Sequence, residues 1–383
     1  MPALRVPIVS FIRGVGDTVR KEFAASSSPA GKLFRSGGLQ FVDVPLPQLP
    51  GNKQDAGYEE HQHHEDLLEP RWDLTPEQHK IVEQAEVVVM DSHTGGPVFL
   101  DPDTNLPSDK RHILDNVRWV QGTYAGVEMY LNLLPKADTE PKPEQLPQFK
   151  LTRGGGVMPK IMAQYVFGYV TLVERMLLEA KEFQNKREFA RMELVNYRSA
   201  SSVTVGILGL GDIGQGVGKM LRTAGYNVVG FKRHTSPKEA ANLSFCADRI
   251  TTDLDDVLSC SDYIVSVLPS TNATRYVLNE KNLQQCRERS PVFINIGRGD
   301  VISEKTLVDA LDSGILSRAV LDVFEQEPLP RVSALWSHPS VHLTPHVSGK
   351  VFPENVGPVL LTNFNHYLRG EPLEFAVDWT KGY

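Results

Sequence analysis

The chain is poor in sulfur chemistry. Its three cysteines, Cys246, Cys260 and Cys286, form neither a CxxC pair nor an even framework. That excludes a disulfide-stapled scaffold and leaves reduced thiols in an intracellular protein as the expectation. No run approaches the ~20 apolar residues of a membrane span. A basic surplus is also missing: 40 Lys and Arg stand against 47 Asp and Glu, a net charge of −7. Charge therefore gives no reason to expect nucleic acid. There is no internal repeat of solenoid period, which excludes stacked-repeat architectures. What remains, at 41% hydrophobic and 23% charged, is an ordinary globular composition. A length of 383 residues suits two or three domains.

The informative stretch is Ser202 to Gly214, an apolar, β-rich run that breaks into Gly209-Leu210-Gly211-Asp212-Ile213-Gly214. A buried strand ending at Leu208 would meet a tight turn at Gly209. Gly211 would let backbone approach a pyrophosphate, and Gly214 would let a helix pack closely on the strand. The diphosphate then lies on free N–H groups at the helix N-terminus. Such glycines alone also serve ordinary turns. Here a strand precedes them, a helical pattern from Val217 to Ala224 follows, and a second strand runs from Asn227 to Phe231. That order defines a dinucleotide site.

One more absence shapes the cofactor. An NAD site usually carries an acid about 20 residues on, at the end of the second strand. This strand ends Gly230-Phe231-Lys232-Arg233-His234, without Asp or Glu. Lys232 and Arg233 stand where a 2′-phosphate would lie, and Arg offers phosphate a planar fork of donors. NADP is the expected cofactor, with NAD second; a solvated basic turn is the alternative use of the two cations.

Residues 1–150 alternate strand and helix patterns: strands at Leu4–Ile12, Leu39–Val44, Val87–Asp91 and Val117–Gln121, helices at Gly16–Ala24, Thr75–Gln84 and Ser108–Asp115. Alternation of this kind implies a parallel sheet. The first 38 residues hold six basic and two acidic side chains and read as a first βα unit rather than a targeting segment. Pro45 to Pro70 reads as a long surface loop; His61, His63 and His64 there lack the partners of a metal site, and none is expected. Pro135 to Phe149 marks a boundary, followed by a long apolar helix from Pro159 to about Lys186 suited to packing between domains or subunits. From about 200 to 345 further strands are Tyr263–Leu268, Val292–Ile296, Ala319–Val323 and His342–Leu343, with Ser303 capping a helix that stops at Gly314. The tail from about 350 to 377 is helical before it returns across the surface.

Three downstream signatures carry chemistry. Ile294 to Gly299 delivers Arg298 between two glycines at the carboxyl edge of a sheet, where ligands bind. Leu321 to Pro330 reads Leu-Asp-Val-Phe-Glu-Gln-Glu-Pro-Leu-Pro, and Leu343 to Gly349 reads Leu-Thr-Pro-His-Val-Ser-Gly. A single Arg or His is commonly structural. An Arg, an acid and a His together in a nucleotide-binding region suggest acid/base chemistry on an anionic substrate.

With Leu268-Pro269 and Thr274, these motifs resemble the D-isomer-specific 2-hydroxyacid dehydrogenase family. Trp336-Ser337-His338-Pro339 and the closing Val377-Asp378-Trp379 and Lys381-Gly382-Tyr383 are similar to its glyoxylate/hydroxypyruvate reductase branch. Thr123 to Glu128 resembles the family's substrate turn, with Glu128 in place of the usual Asp. The resemblance implies an α/β fold of two Rossmann-like domains, each a parallel sheet flanked by helices, with an active-site cleft between them. Residues 1–150 would form the substrate domain, completed by 350–383, and 151–349 the dinucleotide domain. It implies His346 as acid/base, Glu327 rather than Glu325 as its carboxylate partner, and Arg298 as the substrate-orienting cation. Ala125 and Gly126 would receive the substrate carboxylate. Leu268, Pro269, Thr274, Ile296, Asp322 and Gly349 would join the glycine turn around the cofactor, Asp322 on the carboxamide side of the nicotinamide. The expected activity is NADP(H)-dependent reduction of a small 2-keto acid in a cytoplasmic homodimer. The alternative is a dinucleotide-sensing transcriptional corepressor of the same fold.

Overall fold

The computed structural model describes residues 3–10, 12–45, 76–92, 115–127, 130 and 146–379. The chain divides into two compact units, Met1–Val157 with Val351–Tyr383, and Met158–Lys350.

The first unit holds five parallel strands, β1 (Leu4–Ser10), β2 (Leu39–Pro45), β3 (Val87–Met90), β4 (Trp119–Gly122) and β5 (Lys150–Thr152), in the order β2-β1-β3-β4-β5. All four residues of β3 and of β4 are buried, as expected of a parallel sheet covered on both faces. Its helices include α1 (Val15–Ala25), α2 (Pro29–Arg35) and α3 (Pro76–Glu83). The C-terminal helix Pro353–Arg369 returns to this unit and sets Phe364 edge-on to Phe23, within reach of Trp119. A hydrogen bond from Asn363 Nδ2 to Gln121 Oε1, 3.0 Å, ties the same helix to β4 in the buried core.

Two elements here were not anticipated. Helix α2 follows the Ser26–Ser28 run, whose Ser28 hydroxyl accepts from Gly31 N–H with Pro29 at the first helical position. Strand β5 runs across the expected boundary at 150, and Lys150, Leu151 and Thr152 pair with β4. Glu128, the histidines at 61, 63 and 64, the Pro45–Pro70 tract after its first residue, Thr75, and the helix expected from Ser108, but for Asp115, lie outside the described residues.

The second unit opens with two helices rather than one. α4 (Met158–Glu174) and α5 (Leu177–Lys186) are separated at Met176, which takes φ +49°. The apolar face of α4, with Met162, Ala163, Val166 and Val170 buried, packs on the helix after the glycine motif in its own unit. Exposed apolar residues come after the break instead: Leu177, Phe189 (96% exposed), Met192 and Val195. After α6 (Arg191–Leu194), strand β6 (Thr204–Leu208) leads through the glycines into α7 (Asp212–Thr223) and β7 (Asn227–Phe231). Then come α8 (Pro237–Asn242), β8 (Arg249–Thr251), α9 (Leu254–Cys260), β9 (Tyr263–Ser266), β10 (Val292–Asn295), α10 (Glu304–Asp312), β11 (Arg318–Leu321) and β12 (Val341–Leu343). The seven strands are parallel, in the order β12-β11-β10-β9-β6-β7-β8. Strand β8 and helices α8 and α9 are too short for periodicity to announce. The sheet order reverses between β6 and β9, and ligands of open α/β sheets bind at the carboxyl end of such a switch.

Among the described residues no single helix is long and apolar enough to cross a membrane.

Candidate active site

The switch point of the second sheet is shaped by its glycines. Gly209 takes φ +102°, a conformation that side chains resist. A Cβ on Gly214 would lie 1.9 Å from the carbonyl oxygen of Gly209, so only glycine lets α7 start this close to β6. A Cβ on Gly211 would meet nothing within 4 Å. Open space in front of Gly211, at the N-terminus of a twelve-residue helix, fits a diphosphate on the free N–H groups. Leu210 is buried and its side chain fills the space over Gly230, so only its backbone can serve a ligand. Asp212 and Ile213 form the first turn of α7.

At the end of β7 the two cations differ. Lys232 is ion-paired with Glu239 of α8. Arg233 is exposed, without an ion-pair partner among the described residues. The Lys232–Glu239 pair was not foreseen, and its signal was faint: a Glu three residues after the α8 N-cap Ser236, whose hydroxyl accepts from Glu239 N–H. A phosphate arriving here would compete with Glu239 for Lys232.

Other expected cofactor residues also shape the protein around them. Leu268 and Ile296 are buried. The Thr274 hydroxyl donates to Pro269 O at 2.5 Å and accepts from Thr271 N–H at 2.9 Å, closing the loop after β9. Gly349 abuts α4, where an added Cβ would lie 3.1 Å from Met158 Sδ.

The loops after β10, β11 and β12 assemble the triad. Arg298 follows β10 with both flanking glycines jammed: a Cβ on Gly297 would come within 2.6 Å of Leu268 O, and on Gly299 within 1.8 Å of Phe324 C. Buried Asn295 staples this turn, its Nδ2 donating to Arg298 O at 3.0 Å and its Oδ1 accepting from Gly297 N–H. The Arg298 guanidinium donates to Gly297 O at 2.7 Å.

His346 Nδ1 lies 2.7 Å from Glu327 Oε2, and the other oxygen of Glu327 accepts from Phe324 N–H at 2.9 Å. Glu325 is employed differently. It accepts from the Tyr276 hydroxyl at 2.6 Å and from Glu304 N–H at 2.9 Å, at the start of α10. The carboxylate at 327 therefore partners the imidazole, and the one at 325 serves a helix end. The hydrogen bond to Glu327 raises the His346 pKa above its ordinary value. Burial opposes that shift, the Glu327 charge adds to it, Arg298 opposes it and Asp322 favours it. Half-exposed His346 is thus biased toward imidazolium, with Nε2 as the ring nitrogen that can exchange a proton.

His346 stands at φ +53°. Left-handed backbone at a non-glycine residue costs of order 1–3 kcal/mol and persists where surroundings over-determine it. Asp322, 0% exposed, supplies that determination. Its backbone oxygen accepts from His346 N–H at 2.8 Å, and its carboxylate accepts from Thr344 Oγ1 at 2.5 Å and from Val347 and Ser348 N–H at 2.8 Å each. Sequence reasoning placed Asp322 against the nicotinamide. Its carboxylate also organises the histidine turn.

In the first unit, Thr123 and Asp91 meet at the carboxyl edge of the sheet. Asp91 Oδ1 accepts from Thr123 Oγ1 at 2.5 Å and from Ser10 Oγ at 2.8 Å. Thr123 leads into Tyr124, Ala125 and Gly126, and burial pushes the Tyr124 phenol up to about 12. Among the described residues no group of three or more His, Cys, Asp or Glu can hold a metal.

Fold and site together are those of a dinucleotide-dependent oxidoreductase. A profile of the D-isomer specific 2-hydroxyacid dehydrogenase NAD binding domain matches residues 167–348. Glyoxylate/hydroxypyruvate reductase A of Klebsiella pneumoniae (strain 342) is 31% identical over 259 residues, covering 68% of this chain and 80% of that protein. The reductase of the same name from Photorhabdus laumondii is 32% identical over 242 residues, covering 63% and 74%. A D-isomer specific 2-hydroxyacid dehydrogenase from Xanthobacter autotrophicus Py2, solved with NADPH and MES, superposes with a TM-score of 0.68 at 25% identity, over 99% of each chain. An NADPH-dependent glyoxylate/hydroxypyruvate reductase from Sinorhizobium meliloti, solved with NADP and sulfate, gives 0.66 at 25% identity, again over 99% of each. The chain belongs to the D-isomer specific 2-hydroxyacid dehydrogenase family and is similar to its glyoxylate/hydroxypyruvate reductases.

Proposed function

We propose that this enzyme uses NADPH to reduce a small 2-keto acid, of the glyoxylate or hydroxypyruvate kind, to the D-2-hydroxy acid. The observation that carries the reading is the 2.7 Å pair of His346 and Glu327, with Arg298 near enough to act on the charge of the imidazole. When bound, the cofactor supplies the hydride for the keto carbon. Arg298 supplies a fixed cation for the substrate carboxylate and for the charge that grows on the carbonyl oxygen. His346 donates the Nε2 proton to that oxygen, while Glu327 holds the ring through Nδ1 and stabilises the imidazolium. The amides of Ala125 and Gly126 take the substrate carboxylate in this reading. The N–H groups of the 209–214 turn hold the diphosphate, and Arg233, with Lys232 once released from Glu239, holds the 2′-phosphate. Leu268, Pro269, Thr274, Ile296, Asp322 and Gly349 frame the nicotinamide half. We assign the enzyme to the cytoplasm as a homodimer; the exposed apolar residues between Leu177 and Val195 support the second assignment.

The test is a steady-state assay of NADPH and NADH oxidation with glyoxylate, hydroxypyruvate, pyruvate and phenylpyruvate. Turnover preferring NADPH and one of the first two acids is expected. Tight dinucleotide binding without turnover of any acid would overturn the reading and favour a sensing role.

A further inference from the structure

We infer that Tyr165, acting through Thr344, is a positioning residue for His346. The inference rests on His346 being the acid/base group. Tyr165 lies on α4, remote in sequence from every motif of the site, and its hydroxyl is 2.6 Å from Thr344 Oγ1. Direction follows from proton count. Thr344 has one hydroxyl proton, and its oxygen is 2.5 Å from the Asp322 carboxylate, which when ionised only accepts. The Thr344 proton therefore goes to Asp322, and the phenol must donate to Thr344. Burial pushes the Tyr165 phenol up, so it stays a donor at every working pH. The result is a one-way chain, Tyr165 to Thr344 to Asp322, ending on the residue from which His346, Val347 and Ser348 hang.

Helix α4 meets this turn twice. Tyr165 holds Thr344 at its start, and Met158 and Met162 lie against Gly349 at its end. The two contacts bracket the left-handed His346. Charged and titratable groups acting on the imidazole are Glu327, Arg298 and Asp322; those acting on Tyr165 are Asp322 and Tyr169. Asp322 is common to both sets, so a change at Tyr165 or Thr344 reaches the histidine through it.

Three variants test this: Tyr165→Phe, Thr344→Val and Thr344→Ser. Two quantities are read, kcat for keto-acid reduction against pH, and the His346 ring-proton titration by NMR in the full-length protein without substrate. Tyr165→Phe should lower kcat about 3–10-fold, the weight of one neutral hydrogen bond, and Thr344→Val roughly 10–100-fold, the weight of one to a charged group. KM for the keto acid should stay within about twofold, because neither Tyr165 nor Thr344 is among the residues assigned to the substrate. Thr344→Val takes a donor from Asp322, and Tyr165→Phe weakens the donor that Thr344 presents to it. The Asp322 charge is then less neutralised, and the His346 titration should move to higher pH in both, more in Thr344→Val. Thr344→Ser, which keeps the hydroxyl, should restore kcat and titration. If Tyr165→Phe leaves both quantities at wild-type values, the inference is overturned, and likewise if it lowers only the melting temperature. If the wild type reduces no keto acid, the functional reading fails, and the titration alone decides the inference.

Discussion

The two parallel sheets present different chemistry at the same place. Each reverses strand order once, between β1 and β3 in the first and between β6 and β9 in the second. At the second reversal stand glycines that leave a backbone cradle open. At the first stands a buried carboxylate, Asp91, with Ser10 and Thr123 hydrogen-bonded to it. A cradle of bare N–H groups attracts phosphate; a buried anion with hydroxyl donors ties strand ends together and repels phosphate. One architecture thus supports two tasks, decided by a few residues at strand ends.

The sharpest break in the comparison is at the proposed proton donor, His346, which follows the last strand of the second sheet. His346→Ala should cut kcat by roughly 10²–10⁴-fold while dinucleotide affinity stays near wild type. Steady-state kinetics with a binding titration checks both; a near-normal kcat would remove His346 from the chemistry. Glu327→Gln comes next, at about 10²-fold in kcat with a pH signature. Reduction needs imidazolium, so the rate is full below the His346 pKa and falls above it. Glu327 is the chief cause of that raised pKa. Without it burial and Arg298 pull the imidazole down, and the falling limb of kcat/KM should move to lower pH.

Neutralising Lys232 and Arg233 together should lower the NADPH/NADH preference about tenfold or more, the weight of a charge-assisted hydrogen bond. An unmoved ratio would put the phosphate contact elsewhere. The smallest effect belongs to the first sheet. Asp91→Ala leaves the Ser10 and Thr123 hydroxyls without this acceptor and should cost about 1–3 kcal/mol of stability, read by thermal unfolding. Its dinucleotide dissociation constant should not change. A large change there would erase the division of labour between the sheets.

The site was legible where chemistry is local. Strand β6, its glycine turn and helix α7 follow one another in sequence, so each constraint is written within a few residues. The Arg298, Glu327 and His346 motifs were readable because each sits on a short loop just past a strand. The family resemblance separated Glu327, the acid directly before Pro328, from Glu325, and the two carboxylates do take different partners. Strand β5 and strand β8 were not legible, since three residues carry no periodicity. The break at Met176 was hidden because the apolar pattern runs on across it.

By itself the sequence determined the fold class and the glycine cradle, and it singled out the Arg298, Glu327 and His346 motifs, because these depend on near neighbours and residue type. Tertiary structure alone decided which carboxylate each cation meets, as with Lys232 and Glu239. It also decided that the Asp322 carboxylate organises the histidine turn and that Tyr165, from a helix read as apolar packing, reaches that turn through Thr344. Hydrogen bonds between residues about 180 apart depend on where elements pack, and spacing along the chain does not encode that geometry.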